Sequence, residues 1–133
     1  MGWWQGAHIA PSREGETTRS KGQRAEDRAL AHLQAQGLVL LARNYQTPGR
    51  GGGEIDLIMR ATDGTVVFVE VRSRSHSGFG GAAQSIGTIK RQRIVRAAQH
   101  WLLHAGMHHP CRFDVVLLEG AQLEWLPGAF EVT

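Results

Sequence analysis

The chain has 133 residues, 41% hydrophobic and 20% charged, a globular composition with room for one domain and a real core. No run approaches the ~20 apolar residues of a membrane-spanning helix, and the single cysteine, Cys111, rules out a disulfide framework and suits a reducing cytoplasm. A net charge of +3 and a pI near 9.8 are compatible with a nucleic-acid partner without arguing for one.

In chain order, residues 1–19 are polar and mixed in charge and read as a flexible N-terminal tail, with Trp3 and Trp4 unexplained within it. The opening "MGWWQGAHIAPSREGE" lacks a basic stretch leading into an apolar one, so no signal peptide is expected. Residues 20–133 read as one domain. Its first element is a helix, "SKGQRAEDRALAHLQAQG", with Ala25, Ala29, Leu30 and Leu33 at helical spacing and Gly37 as its stop. A buried strand "LVLLARNY" and a loop "QTPGRGGG" follow. Two strands, Glu54 to Arg60 and Thr65 to Arg72, flank a hairpin signal at "ATDG". A second glycine-rich loop, "SRSHSGFGGAAQS", leads to a helix from about Ser85 to His104, with Ile94, Ala97, Ala98, Trp101 and Leu102 on one face. "CRFDVVLLE" is a buried strand, in which Cys111 reads as a packing residue, and "AQLEWL" is a shorter last one. The order α-β-β-β-α-β-β predicts a mixed sheet with helices packed on it. Its third and fourth strands should be parallel and joined by a right-handed crossover.

The hairpin carries the chemistry. Side chains alternate along a strand, so Glu54, Asp56 and Ile58 should share one face and Ile55, Leu57 and Met59 the other. On the next strand Phe68, Glu70 and Arg72 should share a face, opposite Val67, Val69 and Val71. The purely apolar faces belong under a helix. Asp56 and Glu70 face each other only in a register whose residue numbers sum to 126. A strict four-residue turn would put Glu70 on the wrong face, so a loop of three or five residues, or a bulge, is expected. Two ionised carboxylates at strand distance repel, which a divalent cation relieves. Hard oxygen ligands with open positions favour Mg²⁺ or Mn²⁺, which can activate water and stabilise charge on a phosphate. The same spacing also fits solvated residues on a half-exposed strand.

The ordered series "GQRAEDRALAHLQAQG", "GEIDLI", "VFVEVRSR", "FGGA", a lysine-centred helix and "RFDVV" resembles the YraN-type family of small bacterial proteins, over roughly Gly22 to Phe130. That family is similar to the PD-(D/E)XK nucleases, nearest to the Holliday-junction resolvases. The resemblance implies a restriction-endonuclease-like α/β fold and metal-dependent hydrolysis of phosphodiesters in structured or branched DNA. By position it implies Asp56, Glu70 and the backbone carbonyl of Val71 as metal ligands. Glu26 on the first helix matches the further acidic residue of resolvase-like members. Resolvases cut symmetric junctions as dimers, so a homodimer is compatible with the likeness.

Arg72 departs from the motif, which has lysine there. Arginine keeps its proton and cannot act as a base, though it can stabilise charge on a phosphate. Lys90 on the second helix is the candidate replacement. Around it, Lys90, Arg91, Arg93 and Arg96 form a basic stripe suited to a phosphate backbone, or an ordinary solvated face; Arg50 in the glycine-rich loop is a further candidate contact. Arg112 and Asp114 match the family's "RFD" and read as a structural pair. A nucleic-acid-binding module whose catalysis is weakened or lost, and an interaction protein that keeps only the fold, are the alternative readings.

Overall fold

The computed structural model describes residues 18–49, 51–74 and 86–131. The expected tail lies almost wholly outside them, as do Trp3, Trp4, Arg50 and the glycine-rich segment before the second helix. The elements are α1 (Thr18–Ala35), β1 (Val39–Gln46), β2 (Glu54–Arg60), β3 (Val66–Arg74), α2 (Thr88–Ala105), β4 (Cys111–Glu119) and β5 (Gln122–Phe130). Helix α1 thus opens at Thr18, inside the expected tail, and β5 runs on past the expected Leu126.

The five strands lie in sequence order. β3 and β4 are parallel and every other neighbouring pair is antiparallel. α2 is the crossover that the parallel pair requires. The protein is therefore an α/β fold with a mixed sheet and helices on both faces.

Each helix covers one face because its small residues recur every three or four positions. Ala25, Ala29 and Leu33 of α1 pack on Leu57, Met59, Val67, Val69, Val116 and Leu118. Ile94, Ala97 and Ala98 of α2 pack on Ile58, Phe68, Phe113, Val115 and Leu117. Gly37 (φ 97) ends α1, where the Leu38 N–H turns back to the Leu33 carbonyl at 3.1 Å, a reversal that needs a left-handed residue.

The β2–β3 register pairs Leu57 with Val69 and Arg60 with Val66, the sum of 126 that the paired-carboxylate reading requires. Residues 61–65 form the connecting loop, closed by Ala61 N–H to Thr65 O at 2.8 Å. Three expectations fail. β1, expected as a buried strand, lies at the edge of the sheet and none of its residues is fully buried. Ile55 joins the α2-side core rather than that of α1. Alternation is disturbed there because Asn44, between the pairs Arg43–Leu57 and Tyr45–Ile55, takes a left-handed φ of 53°. Cys111 is exposed, because β4 begins there at the end of the sheet.

Candidate active site

The two central strands part where the carboxylates lie. Continuing the β2–β3 register would set Asp56 against Glu70, but the paired residues stop at Leu57 and Val69. The Val71 N–H donates instead to Asp56 Oδ2 at 2.8 Å. A side-chain oxygen has taken the place of a main-chain acceptor, and the strands open into a notch. The N–H and C=O of one strand residue point to the same side, so the Val71 carbonyl is directed at that notch as well.

Glu70 is nearly buried, at 7% exposure. Lys90 reaches it from the first turn of α2, with Nζ 2.8 Å from Oε2, and Arg72 Nη1 stands 3.8 Å from the same oxygen. A cleft of about 500 Å³ opens above them, lined by Glu54, Asp56, Glu70, Lys90, Arg93 and the backbone of Gly52 and Gly53. Its floor is acidic and its α2 wall is basic.

Burial pushes the Asp56 carboxyl up to about 8; the negative charge of Glu70 adds to this, the Val71 hydrogen bond opposes it, and Glu26 and Glu54 contribute further. A carboxyl so placed holds a proton at neutral pH or needs a cation beside it.

The glycines set the cleft's other wall. A Cβ on Gly53 would come within 2.2 Å of the Arg93 carbonyl oxygen, so β2 enters against the bare backbone of α2. The Gly53 N–H donates to Thr47 Oγ1 at 2.8 Å, and Arg96 Nη1 donates to the Gly51 carbonyl at 3.3 Å. This run is packing that fixes the cleft wall.

The structure thus gathers Asp56, Glu70, Arg72, Lys90 and Arg93, with the Val71 backbone, in one place. Glu26 lies at its margin. It is mostly covered and faces Arg43, whose Nε stands 3.5 Å from Oε1, beside a hollow of about 470 Å³ shared with Asn44, Gln46 and Glu54. Arg43 also bonds Asp27 at 2.5 Å. Arg91 is turned away: it donates to the Ile86 carbonyl at 3.1 Å and lies over the Phe130 ring, because its place on α2 points across the sheet rather than into the cleft. Arg50 lies outside the described residues. Sequence reasoning missed Arg43, which anchors Glu26, and Asn44, whose left-handed backbone faces Asp56. Only the Asn type, tolerant of that conformation, could have signalled the latter.

Among the described residues, no three His, Cys, Asp or Glu side chains gather to hold a metal.

A family model described as "Uncharacterised protein family UPF0102" matches residues 25–118, from the buried face of α1 through most of β4. The chain belongs to the UPF0102 family. A UPF0102 protein of Acidovorax sp. is 62% identical over 126 residues, covering 95% of this chain and 96% of the relative. That of Paracidovorax citrulli is 65% identical over 115 residues, covering 86% of this chain and 85% of its own. That of Cupriavidus taiwanensis is 57% identical over 121 residues, covering 91% and 86%. This UPF0102 chain is thus like its relatives across the helices and strands that build the cleft.

Proposed function

We propose that this UPF0102 protein is a metal-dependent endonuclease of the PD-(D/E)XK type, with a restriction-endonuclease-like fold, acting in the cytoplasm on structured or branched DNA. The observation that carries this reading is the notch between β2 and β3. It brings Asp56, the Val71 backbone and Glu70 together, with Lys90 Nζ 2.8 Å from Glu70.

The donor set suits a divalent cation by its chemistry. Asp56, Glu70 and the Val71 carbonyl offer hard oxygens, and Asp56 is half-buried among carboxylates with no paired cation among the described residues. When bound, Mg²⁺ or Mn²⁺ supplies positive charge on a phosphoryl oxygen and acidifies water. Glu26, held by Arg43, supports the site from its margin rather than within it. Lys90, paired with Glu70 at 2.8 Å, offers its ammonium to a phosphate oxygen; when it leaves Glu70, that carboxylate becomes available. Arg72 keeps its charge and stabilises negative charge that develops on the phosphate. Arg93 extends the basic wall along the backbone. A homodimer would give two such clefts for paired cuts.

One observation favours a second reading, a nucleic-acid-binding module without turnover. Arg72 stands at the motif's lysine, and the Lys90 side chain is 51% exposed, poorly desolvated for a base.

Calorimetric titration of Mn²⁺ into the wild type, Asp56→Ala and Glu70→Ala, paired with cleavage of a four-way junction, separates the two. Binding and cleavage in the wild type, with cleavage reduced about 10²-fold or more in both variants, is the expected result. Cleavage retained by both variants sinks the mechanism. DNA affinity without metal and without cleavage selects the binding module.

A further inference from the structure

On the opposite face of the sheet a second hollow of about 750 Å³ lies between the first half of α1 and the β4–β5 turn, lined by Lys21, Arg24, Asp27, Arg28, Ser73 and Gly120. Lys21, Arg24 and Arg28 are exposed and spaced by three and four residues, so they form one stripe along the helix. Asp27, the one carboxylate among those lining residues, is taken by Arg43 at 2.5 Å. Arg28 Nη1 donates to the Gly120 carbonyl at 2.7 Å, which ties the stripe to the turn.

The helix adds to this charge. α1 has no acidic residue in its first turn, where the macrodipole favours one. Lys21 lies there instead. Local stability argues against that arrangement, whereas binding of an anion explains it. The hollow also lies near the catalytic cleft along the chain: Ser73 follows Glu70 by three residues of β3, roughly 10 Å along the strand.

We infer that this groove is a second phosphate-binding surface, which takes the backbone of a nucleic acid beyond the segment seated in the cleft. The inference rests on the nucleic-acid reading above. A duplex crossing this end of the sheet meets Lys90 and Arg93 on one side and Lys21 and Arg24 on the other. Asp27, already paired, does not repel it.

The test is fluorescence anisotropy with a labelled duplex of about 20 base pairs at several salt concentrations, using the full chain. Three proteins are compared: wild type, Lys21→Ala/Arg24→Ala, and Lys90→Ala/Arg93→Ala. Arg28 is left intact because it holds the Gly120 turn. Each lost phosphate contact lowers the slope of log affinity against log salt by about 0.9, so the α1 variant is expected to lose about 2 in slope and tenfold or more in affinity at low salt. A wild-type slope and affinity in the α1 variant, while the cleft variant is weakened, overturns the groove and leaves the nucleic-acid reading standing. A wild type that binds no DNA even at low salt overturns both.

Discussion

Asp114 and Asp56 both sit on inner strands of one sheet, yet their surroundings differ in kind. Asp114 is completely buried and accepts from Arg112 Nε at 3.0 Å, Trp125 Nε1 at 2.9 Å and the Gly128 N–H at 2.9 Å. It sits where the β4–β5 register shifts, and pins the strand that shifts. Asp56 accepts the Val71 N–H and otherwise looks towards Glu70, Glu54 and Glu26. A carboxylate surrounded by donors is satisfied as an anion; one surrounded by carboxylates is disfavoured as one. Burial alone does not mark a functional acid. The sign of its neighbours does.

The sharpest way to break this contrast is to remove Asp114. Asp114→Ala strands the Trp125 and Gly128 donors and half-frees Arg112, and is expected to cost about 3–5 kcal/mol of stability. Urea denaturation measures it. A loss below 1 kcal/mol would mean that Asp114 is not the staple the geometry describes.

Asp56 should respond in the opposite sense. Its folded carboxyl titrates near 8 against an ordinary 3.8, so the folded chain keeps a proton that the unfolded chain releases. Stability is therefore greatest below about pH 4 as far as this group is concerned, and declines as pH rises towards 8. In metal-free buffer, Asp56→Asn is expected to remove a decline of about 2 kcal/mol between pH 5 and 8, allowing for solvent at the notch. Parallel denaturation curves for the two proteins at both pH values would refute it.

A third test probes the cleft without touching either aspartate. Gly53→Ala places a methyl group against the Arg93 carbonyl and is expected to cost about 1–3 kcal/mol; if the proposed metal site holds, Mn²⁺ affinity is expected to fall with it because the α2 wall moves. Unchanged affinity alongside lost stability would show that the proposed ligands, Asp56 and Glu70, do not depend on that wall.

Much of this was legible in the sequence, and the reasons are local. The limits of β2 and β4 followed from apolar runs between turn residues, and the need for an odd loop followed from alternation and two residue numbers. That reasoning assumed an unbroken pleat, so it misplaced Ile55, whose side depends on the backbone of Asn44 in another strand. It could place Arg91 in a basic stripe but not say which way α2 rolls on the sheet; packing of Ile94 and Ala98 decides that. The glycines read only as a loop, because the approach of Arg93 to Gly53 joins residues 40 positions apart. Glu26 was legible only through family likeness, and its partner Arg43 left no periodic signal.

The contact between Gly53 and α2 has a mechanical consequence. The loop that forms one wall of the cleft abuts the backbone of the helix that forms the other, and Arg96 ties the two again at Gly51. Walls braced against each other fix the width of the slot before any substrate arrives. Any ligand that fits would lose its own freedom on entering but order little of the protein, so selection would fall on the ligand's shape.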